Sequence, residues 1–587
     1  MFCWNLLACV FLSVTPNLLS TNGSFEQGLE AWESAFAPPV TAEALSLEGR
    51  TAVRLVVPPE ASIGYPSVRQ SYSVTPGTVV SACVEALGRD VRDGAGVYMS
   101  VEFLNADGGR ISFVQSEMVI PDGTWRPLRI RGIAPPDSAS ARLCLLLNGH
   151  GQACFTGVKV TAAPGEEVSL PDGPVTLTVT DEIACPSLKG FGAEDDGWFY
   201  NEVNAAKGVT REDWILREER VRWMEPDWVR MFFWYKDWNP SGDWETFDFD
   251  SDNMRSHYRT LDLYQSIGAY ANVVGVEWGV PKFTDLPKMA TAIGALLEHL
   301  VRVKGYSCVQ EWTLTNEPNG SWTQRGNTFE EYLRLHELVK EEFQKRGLAV
   351  RILGSDDTSG LSWFENCVRS DRYLDCADFF ASHLYARYTD RHLAPFFFDD
   401  RLDLLCAHAP DKPLVIAEFG FQDHRSGTLE NPLMETYPYA LWTTAFVIKG
   451  LNRGIAGFCI WCLHEVYYPG GGFMNYGLWN FKDRNWGVRP VYTAWANLTR
   501  HTKTGDIVYG CASSAPGHVE AVRVGKFLFW VNQADRPVQV IVQGADPVSA
   551  HAYTESTLSD DRECGITLDP QDGLWPLPAT SFGRMNL

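Results

Sequence analysis

Positive charge is scarce in this sequence. It contains 50 Lys and Arg residues against 73 Asp and Glu residues, a formal net charge of −23 over 587 residues. Proteins that bind nucleic acid or an anionic membrane present a basic face, because their partner's phosphates attract it. The sequence therefore predicts neither partner, whereas a neutral polymer is compatible with this charge.

Long apolar runs are also missing, except at the start of the chain. Residues 1–16 (MFCWNLLACVFLSVTP) are apolar but too short to span a bilayer, and a polar, turn-rich stretch follows them. This pattern predicts a signal peptide and a secreted or extracytoplasmic protein. The segment Leu6-Leu7-Ala8-Cys9 resembles a lipoprotein cleavage site, so lipidation of Cys9 is an open alternative. No later run predicts a membrane helix.

A disulfide framework is a third feature that the sequence lacks. The 14 cysteines are scattered through apolar segments, which predicts free, buried thiols. Cys459 and Cys462 form a C-x-x-C pair, but residues three apart on a strand point to opposite faces. This spacing argues against a zinc site.

Apolar residues (45%) and aromatics (12%) are abundant enough for packed cores, and the length predicts two or more domains. Between residues 17 and 163, short alternating strands separated by Gly, Pro and Asp turns predict an all-β sandwich. Residues 164–187 are predicted to be a linker, rich in Pro and Gly, followed by a strand at 175–180. We expect this strand to pair with a sheet at the C-terminus.

The stretch at residues 309–319 has the pattern of a strand that ends in polar residues. Apolar residues alternate up to Asn316-Glu317-Pro318-Asn319, where Pro318 removes a backbone donor and ends the ladder. Catalytic groups of parallel barrels gather at such carboxyl-terminal strand ends, because the loops there form the mouth of the site. Taken alone, the motif is equally compatible with a catalytic strand end and with an ordinary strand followed by a turn.

A second stretch, at residues 413–421, is an apolar run interrupted by Glu418 and then Gly420. Burying an unpaired carboxylate costs several kcal/mol, so Glu418 must be paired or used. Glu317 and Glu418 are 101 positions apart (418 − 317), which leaves room for the units between the fourth and seventh strands of a barrel.

Together these two stretches resemble the retaining glycoside hydrolases of clan A, with families 30, 39 and 5 the most similar. The resemblance covers residues 188–500 and implies a (β/α)8 TIM barrel. It implies that Glu317 is the acid/base and Glu418 the nucleophile, and that Asn316 binds the sugar 2-hydroxyl. The remaining barrel strands are predicted at residues 188–193, 228–233, 271–276, 351–354, 379–385 and 457–461.

Arg230 lies inside the apolar run of the second predicted strand, and a buried Arg needs an anionic partner. The resemblance implies that this partner is Glu418 and that the positive charge keeps the carboxylate ionised. A structural ion pair elsewhere is the alternative.

His383 and Tyr385 share one face of the sixth predicted strand, by the period of two. The resemblance implies that they support the two carboxylates, and that Trp461 is an aromatic platform under the sugar. The alternative for each is a residue of the core.

Further polar and aromatic residues follow the predicted barrel strands. Asp195 and Trp198 come after the first strand, and Trp278 comes after the third. Together with Trp234, Trp238 and Trp322 they outline a cleft that could bind a sugar, although Trp residues are as often core residues.

The opening of the N-terminal region, from Asn17 through Asn22-Gly23-Ser24 to Trp32, resembles jelly-roll carbohydrate-binding modules. Such modules often hold a structural calcium, but residues 155–158 lack the acidic pair common in the last strand, so calcium stays an open alternative. Four aromatics could stack on sugar rings or belong to the core: Tyr65, Tyr72, Tyr98 and Trp125.

The C-terminal region, residues 501–587, contains three clear strand patterns and predicts a small β-sandwich that packs on the barrel. Families 30 and 39 of clan A attach a domain of this kind.

The resulting hypothesis is a retaining β-glycosidase that acts on an oligo- or polysaccharide by double displacement, without a metal or organic cofactor. A carbohydrate-binding protein on a catalytically inactive barrel is an alternative of a different class. A metal-dependent barrel hydrolase would need His and Asp at several strand ends, and only His383 fits. The sequence does not predict the sugar, the linkage or the oligomeric state.

Overall fold

The computed structural model describes residues 17, 18, 20–119, 123–163, 170–276, 283–320, 327–358, 360–387, 394–422, 430–559 and 564–587. The predicted signal peptide, Cys9, Trp278 and Trp322 lie outside these ranges. Contacts within the chain divide it into two compact units, residues 1–167 and 168–587.

The first unit is an antiparallel β-structure. Its strands are β1 (Asn17–Leu18), β2 (Glu33–Ala35), β3 (Thr41–Leu47), β4 (Arg50–Val57), β5 (Ser67–Ser73), β6 (Val79–Leu104), β7 (Arg110–Gln115), β8 (Arg126–Ile133) and β9 (Ser140–Ala163). Hydrogen bonds connect all of them into one sheet, in which β9 pairs with β1, β4, β5 and β6. One hydrophobic core, which includes Phe25 and Trp32, lies among them.

The prediction of only short strands is wrong for β6 and β9, which are 26 and 24 residues long. Their pairing shifts register around Arg92 and Gly96, so the strands change direction without ending. Opposite this point Gly149 and Gly151 have positive φ, and a Cβ there would lie 2.6 and 2.7 Å from backbone oxygens. Glycine therefore allows the close approach that keeps the sheet continuous.

Two of the four aromatics proposed for sugar stacking in this unit are buried. Tyr72 is a core residue whose hydroxyl donates to Gln70 Oε1 at 2.7 Å. Tyr98 packs with Cys144 and Leu146. Tyr65, in contrast, is 67% exposed. Trp125 is partly exposed, and its indole donates to Glu48.

The second unit contains a closed barrel of eight parallel strands. They are β11 (Gly190–Glu194), β12 (Trp228–Trp234), β13 (Tyr270–Val276), β14 (Val309–Thr313), β15 (Arg351–Asp357), β16 (Phe379–Arg387), β17 (Leu414–Gln422) and β18 (Gly457–Ile460). Each coincides with a predicted strand, so the predicted barrel is confirmed. The strands are almost entirely buried, which is why they read as continuous apolar runs rather than alternating ones.

Helices follow or separate these strands. They are α1 (Glu202–Ala206), α2 (Arg211–Met224), α3 (Tyr235–Trp238), α4 (Asp252–Ser266), α5 (Leu286–Glu298), α6 (Phe329–Arg346), α7 (Ser362–Arg369), α8 (Asp371–Cys376), α9 (Ala394–His408), α10 (Tyr437–Leu451) and α11 (Pro490–Thr499). A π-helix spans His299–Val303, and 3₁₀-helices span Pro432–Glu435, Lys482–Arg484 and Glu555–Thr557. In the described ranges, no helix has the length and apolar character needed to cross a membrane.

Helix α6 shows how the sequence sets these elements. Thr328 and Glu331 form a capping box at its start, and Gly347 ends it in the left-handed conformation. Its buried face carries Leu335 and Val339 at helical spacing.

A second sheet of nine strands lies in the same unit and includes the strands predicted for residues 501–587. It comprises β10 (Val175–Cys185), β19 (Val508–Ser513), β20 (Val519–Val524), β21 (Phe527–Asn532), β22 (Val538–Gln543), β23 (Ser549–Tyr553), β24 (Ile566–Leu568), β25 (Trp575–Leu577) and β26 (Ser581–Asn586). Strand β10, which precedes the barrel in sequence, lies between β19 and β22. The sheet therefore connects the chain segments before and after the barrel.

A buried ion pair closes the amino-terminal end of the barrel. The ammonium group of Lys189 pairs with Glu311 on β14, and both side chains are almost fully buried. Arg351 at the start of β15 donates to the other oxygen of Glu311 at 2.7 Å. The rings of Trp228 and Tyr270 lie 4.6 Å from the ammonium nitrogen. Lys189 thus depends on Glu311 for its carboxylate partner.

We predict that Glu311→Leu lowers the free energy of unfolding by about 3–5 kcal/mol, because it leaves the Lys189 ammonium buried without a carboxylate. The double variant Lys189→Met/Glu311→Leu should recover most of the loss. Urea denaturation measures both. The control Lys345→Ala removes a surface ion pair whose Lys side chain is 72% exposed, and should cost at most about 1 kcal/mol. Equal losses for Glu311→Leu and the control would contradict this role.

Candidate active site

The loop after β14 places Asn316 and Glu317 at the carboxyl-terminal end of the barrel. Both side chains are nearly buried, at 5% and 6% exposure. The backbone N–H of Glu317 donates to the carbonyl oxygen of Asp356 at 3.1 Å. The amide oxygen of Asn316 accepts from Arg230 at 2.8 Å. Both residues are therefore held by neighbouring barrel strands.

Glu418 lies on β17, facing Glu317. Its Oε1 accepts from Arg230 at 2.5 Å, and its Oε2 accepts from the Tyr385 hydroxyl at 2.9 Å. One carboxylate oxygen of Glu317, one of Glu418 and a ring nitrogen of His383 all lie within 4.8 Å of one another. The structure thus brings together two carboxyl groups that are 101 positions apart in the sequence (418 − 317).

Arg230 is fully buried on β12 and contacts three carboxylates. Besides Glu418, it pairs with Glu194 at 2.9 Å and with Asp356 at 2.7 Å. The Glu418 pair is the one that the sequence predicts, and the other two are additional. Burial alone would lower the pKa of Arg230, but these negative charges raise it well above its usual value.

The pKa of Glu418 lies above its ordinary value although Arg230 donates to it. Burial raises the pKa of Glu418, and the positive charges of His383 and Arg230 oppose this rise without cancelling it. The reason is that Arg230 shares its charge among several carboxylates, and that the nearby Glu317 and Asp356 raise the pKa of Glu418 further.

His383 on β16 bridges two carboxyl groups. Its Nδ1 lies 3.0 Å from Glu317 Oε1, and its Nε2 lies 3.0 Å from Asp356 Oδ1. Burial would lower the pKa of His383, but the charges of Glu418 and Asp356 raise it to about 10. Oxygen neighbours at 3.0 Å from both nitrogens and the raised pKa fit an imidazolium that donates from each nitrogen. The resemblance implies that His383 supports the two carboxylates, and the structure places its ring beside Glu317 and near Glu418.

By distance alone, Glu317, His383 and Glu418 could hold a metal ion. A metal requires the neutral imidazole, whereas both nitrogens of His383 already face carboxyl oxygens and its pKa is about 10. This arrangement favours a proton over a metal ion. Within the described ranges, no other group of three such side chains has metal-ligand distances.

Trp461 directly follows β18 and so lies at the same end of the barrel. It is 5% exposed, and its ring packs against Phe232 with 5.4 Å between the centroids. Trp234 at the end of β12 is partly exposed.

The sequence analysis expected Asp195 and Trp198 to line a sugar-binding cleft, but the structure does not place them in an exposed cleft. Both are fully buried. Asp195 accepts from Arg217 and Tyr264 and contacts His464 Nε2 at 3.1 Å. Burial would raise the pKa of Asp195, but Arg217 and His464 lower it below its usual range.

Trp198 donates to Asp237 at 2.8 Å and packs beside Tyr468. Trp238 is likewise fully buried. Trp198 and Trp238 are thus core residues, because a wide barrel end needs large side chains to fill the space under its loops.

Among the acidic residues at the end of the first predicted strand the sequence analysis selected only Asp195, and it did not select Asp356. Glu194, Asp196 and Asp356 are further buried carboxyl groups of the site. Burial raises the pKa of Glu194 well above its usual value despite Arg230, and raises that of Asp196 to about 7 although the Tyr468 hydroxyl donates to it at 2.7 Å. For Asp356 there was a signal, since Gly354-Ser355-Asp356-Asp357 ends an apolar run in acidic residues.

The two facing carboxyl groups have different neighbours, and this difference defines their chemistry. Glu418 contacts a guanidinium and a phenol, which stabilise a carboxylate. Glu317 contacts the imidazolium of His383 and lies close to Glu418. Such a pair can move a proton and form a bond on the two sides of one reacting atom.

We predict that His383 stabilises the fold in a pH-dependent way. Its folded pKa of about 10 exceeds the ordinary value of 6.5, so its contribution is complete below pH 6.5 and is lost as pH rises through 10. The difference in unfolding free energy between wild type and His383→Gln should therefore shrink from pH 7 to pH 10. The control is His336→Gln, because burial lowers the pKa of His336 to about 4 and leaves it neutral in this range. A constant difference for His383→Gln would contradict the assigned protonation.

Comparison with known proteins gives structural matches only. No protein-family model matches the sequence, and no curated protein matches it. A GH30 endoxylanase from Clostridium papyrosolvens is 14% identical, with a TM-score of 0.51, over 71% of this chain and 100% of its own. AbfB, a family 51 α-L-arabinofuranosidase from Bifidobacterium longum, is 14% identical, with a TM-score of 0.52, over 71% of this chain and 99% of its own.

A conserved exported protein from Bacteroides fragilis is 11% identical, with a TM-score of 0.53, over 70% of this chain and 100% of its own. At such identities the similarity shows the fold alone. The chain thus shares the (β/α)8 barrel fold with these solved structures, as the sequence motifs predict.

Proposed function

We propose that the protein is a retaining β-glycoside hydrolase that cleaves the O-glycosidic bonds of a β-glycan. The observation that carries the proposal is the pair Glu317 and Glu418 at the carboxyl-terminal ends of β14 and β17, with carboxylate oxygens within 4.8 Å. In retaining enzymes the two carboxyl groups are about 5–5.5 Å apart, whereas inverting enzymes need about 6.5–9.5 Å to admit a water. The short separation favours retention.

Glu418 is the proposed nucleophile. Arg230 and Tyr385 hold one carboxylate oxygen each. These contacts fix the carboxylate for attack on the anomeric carbon, which forms a covalent glycosyl-enzyme intermediate.

Glu317 is the proposed acid/base. It gives a proton to the departing oxygen in the first step, and in the second step it takes a proton from the water that attacks the intermediate. The anomeric configuration is thereby retained. Asn316 uses its amide oxygen for Arg230, so its NH₂ group is the donor oriented for the sugar 2-hydroxyl. Trp461 is the proposed platform under the sugar ring.

The rest of the chain is assigned by analogy with secreted polysaccharide hydrolases. We propose export by residues 1–16, a carbohydrate-binding jelly roll in the first unit and a sandwich-like C-terminal sheet that supports the barrel. Tyr65 is the most exposed of the aromatics proposed to bind sugar there. Calcium in that unit stays an open alternative.

We expect Glu418→Ala to abolish hydrolysis of aryl β-glycosides, and azide to restore part of the activity with an inverted product. Glu317→Ala should lose about 10²–10⁴-fold on substrates that need protonation, and much less on dinitrophenyl glycosides. A screen of β-glucosides, β-xylosides, β-mannosides and β-galactosides, followed by chromatography of the products, measures both effects.

The control is Glu520→Ala, in the C-terminal sheet, which should retain wild-type rates. If wild type and both variants bind polysaccharide but hydrolyse no substrate, the protein is a carbohydrate-binding barrel and the proposed reaction is wrong.

The role of the first unit can be tested separately. Deletion of residues 1–167, which form a compact unit, should leave kcat/KM on small aryl glycosides within about twofold and reduce retention on insoluble polysaccharide. The variant Tyr65→Ala in the full chain should reduce retention in the same direction. Equal loss of activity on small and insoluble substrates would show that the unit is needed by the barrel instead.

A further inference from the structure

Asp356, the residue before the last of β15, contacts Glu317 directly and reaches Glu418 only through Arg230. Its side chain is fully buried. Oδ2 accepts from Arg230 at 2.7 Å and Oδ1 contacts His383 Nε2 at 3.0 Å. Its backbone carbonyl accepts from the N–H of Glu317 at 3.1 Å. Asp356 therefore contacts Arg230, which also donates to Glu418, and His383, whose other ring nitrogen faces Glu317. It also accepts from the backbone of Glu317 itself.

We propose that Asp356 is a positioning residue that keeps His383 doubly protonated, and so prevents the imidazole from taking the proton that Glu317 must deliver. This inference rests on the proposed glycosidase function and adds a residue to it. Asp356 acts only through Arg230, His383 and Glu317.

The argument follows from the two nitrogens of one ring. A neutral imidazole has one donor and one acceptor nitrogen. If Nδ1 of His383 were the acceptor, it would receive the proton of Glu317 Oε1, which lies 3.0 Å away. When Asp356 accepts from Nε2 and each ring nitrogen carries a proton, Nδ1 of His383 donates and Oε1 of Glu317 accepts. The proton for the leaving group must then sit on Oε2 of Glu317.

The alternative is that Asp356 has only a structural role. The charged groups around it distinguish the two roles. The groups that face His383 are the carboxyl groups of Glu317, Asp356 and Glu418. Asp356 itself faces His383, Arg230 and the buried phenol of Tyr332. Removing its charge leaves His383 with less negative charge, and leaves Arg230 free to act more strongly on Glu418.

The acidic and the basic limb of the kcat/KM pH profile should therefore both move to lower pH when the charge of Asp356 is removed. In Asp356→Asn, His383 loses the negative charge that stabilises its second proton, although the amide oxygen can still accept from Nε2, so the proton-delivering form fails at lower pH and the basic limb of kcat/KM moves down. Glu418 loses a nearby anion, so its pKa falls and the acidic limb moves down as well. A loss of packing alone would lower the rate without moving both limbs.

The first measurement does not require activity. In the full chain labelled with ¹⁵N-histidine, the His383 signal, assigned with His383→Gln, should show both nitrogens protonated at pH 8 in wild type. In Asp356→Asn the midpoint of its titration should fall by at least one pH unit. An unchanged midpoint would overturn the proposal, whether or not the protein proves to be a glycosidase.

The second measurement uses kinetics and applies once wild type hydrolyses a glycoside. Asp356→Asn should lose about 10- to 100-fold in kcat on alkyl glycosides, part of the contribution of acid catalysis, and less than threefold on dinitrophenyl glycosides. The matched control is Asp357→Asn, since Asp357 is equally buried on the same strand but pairs with Arg401. It should leave both limbs of the profile in place.

A variant that keeps the charge covers the case in which Asp356→Asn does not fold. Asp356→Glu retains the anion but displaces it, so His383 should stay doubly protonated at pH 8 while kcat on alkyl glycosides falls about 10-fold. Equal effects on alkyl and dinitrophenyl glycosides in either variant would overturn the proposal. Failure of wild type to hydrolyse any glycoside would contradict the proposed function instead, and the NMR result would still decide the role of Asp356.

Discussion

A single guanidinium in the barrel interior, that of Arg230, is the constraint on which the site depends. Isolated buried carboxylates are unstable, and Arg230 pairs with Glu194, Asp356 and Glu418 while holding the amide of Asn316. These partners come from different strands, so the closed barrel is what allows one cation to serve them all. The position of Glu418, the proposed nucleophile, is therefore tied to the closure of the barrel.

The site contains more carboxyl groups than cations, and this imbalance shapes its chemistry. Arg230 and the imidazolium of His383 face a larger set of acidic side chains, so some of these keep their protons. The raised pKa values of Glu194 and Asp196 follow from burial that no cation fully offsets. Carboxyl groups with raised pKa values therefore lie close to Glu418.

The loops around the site are fixed by buried networks at two levels. Behind the loop after β11, Asp195 binds Arg217 and His464, which ties it to the loop after β18. Farther out, Tyr437 at the start of α10 donates to backbone oxygens of Tyr553 and Thr580 in the nine-stranded sheet. That sheet also contains β10 from before the barrel, so the barrel and the sheet form one compact unit.

The sequence by itself determined the eight barrel strands, the two facing glutamates and the partner of Arg230. The strands and the glutamates rest on local patterns, an apolar run and a polar residue at its end, whereas Glu418 as the partner of Arg230 was implied by the family resemblance. Tertiary structure alone decided that Asp356 and Glu194 share Arg230, that a cation lies beside Glu317, and that Asp195 and Trp198 are buried. It also decided that β6 and β9 continue through glycine-lined register shifts. These features depend on which strands are neighbours across the barrel or sheet. Local periodicity in the sequence does not encode contacts between residues that are far apart along the chain.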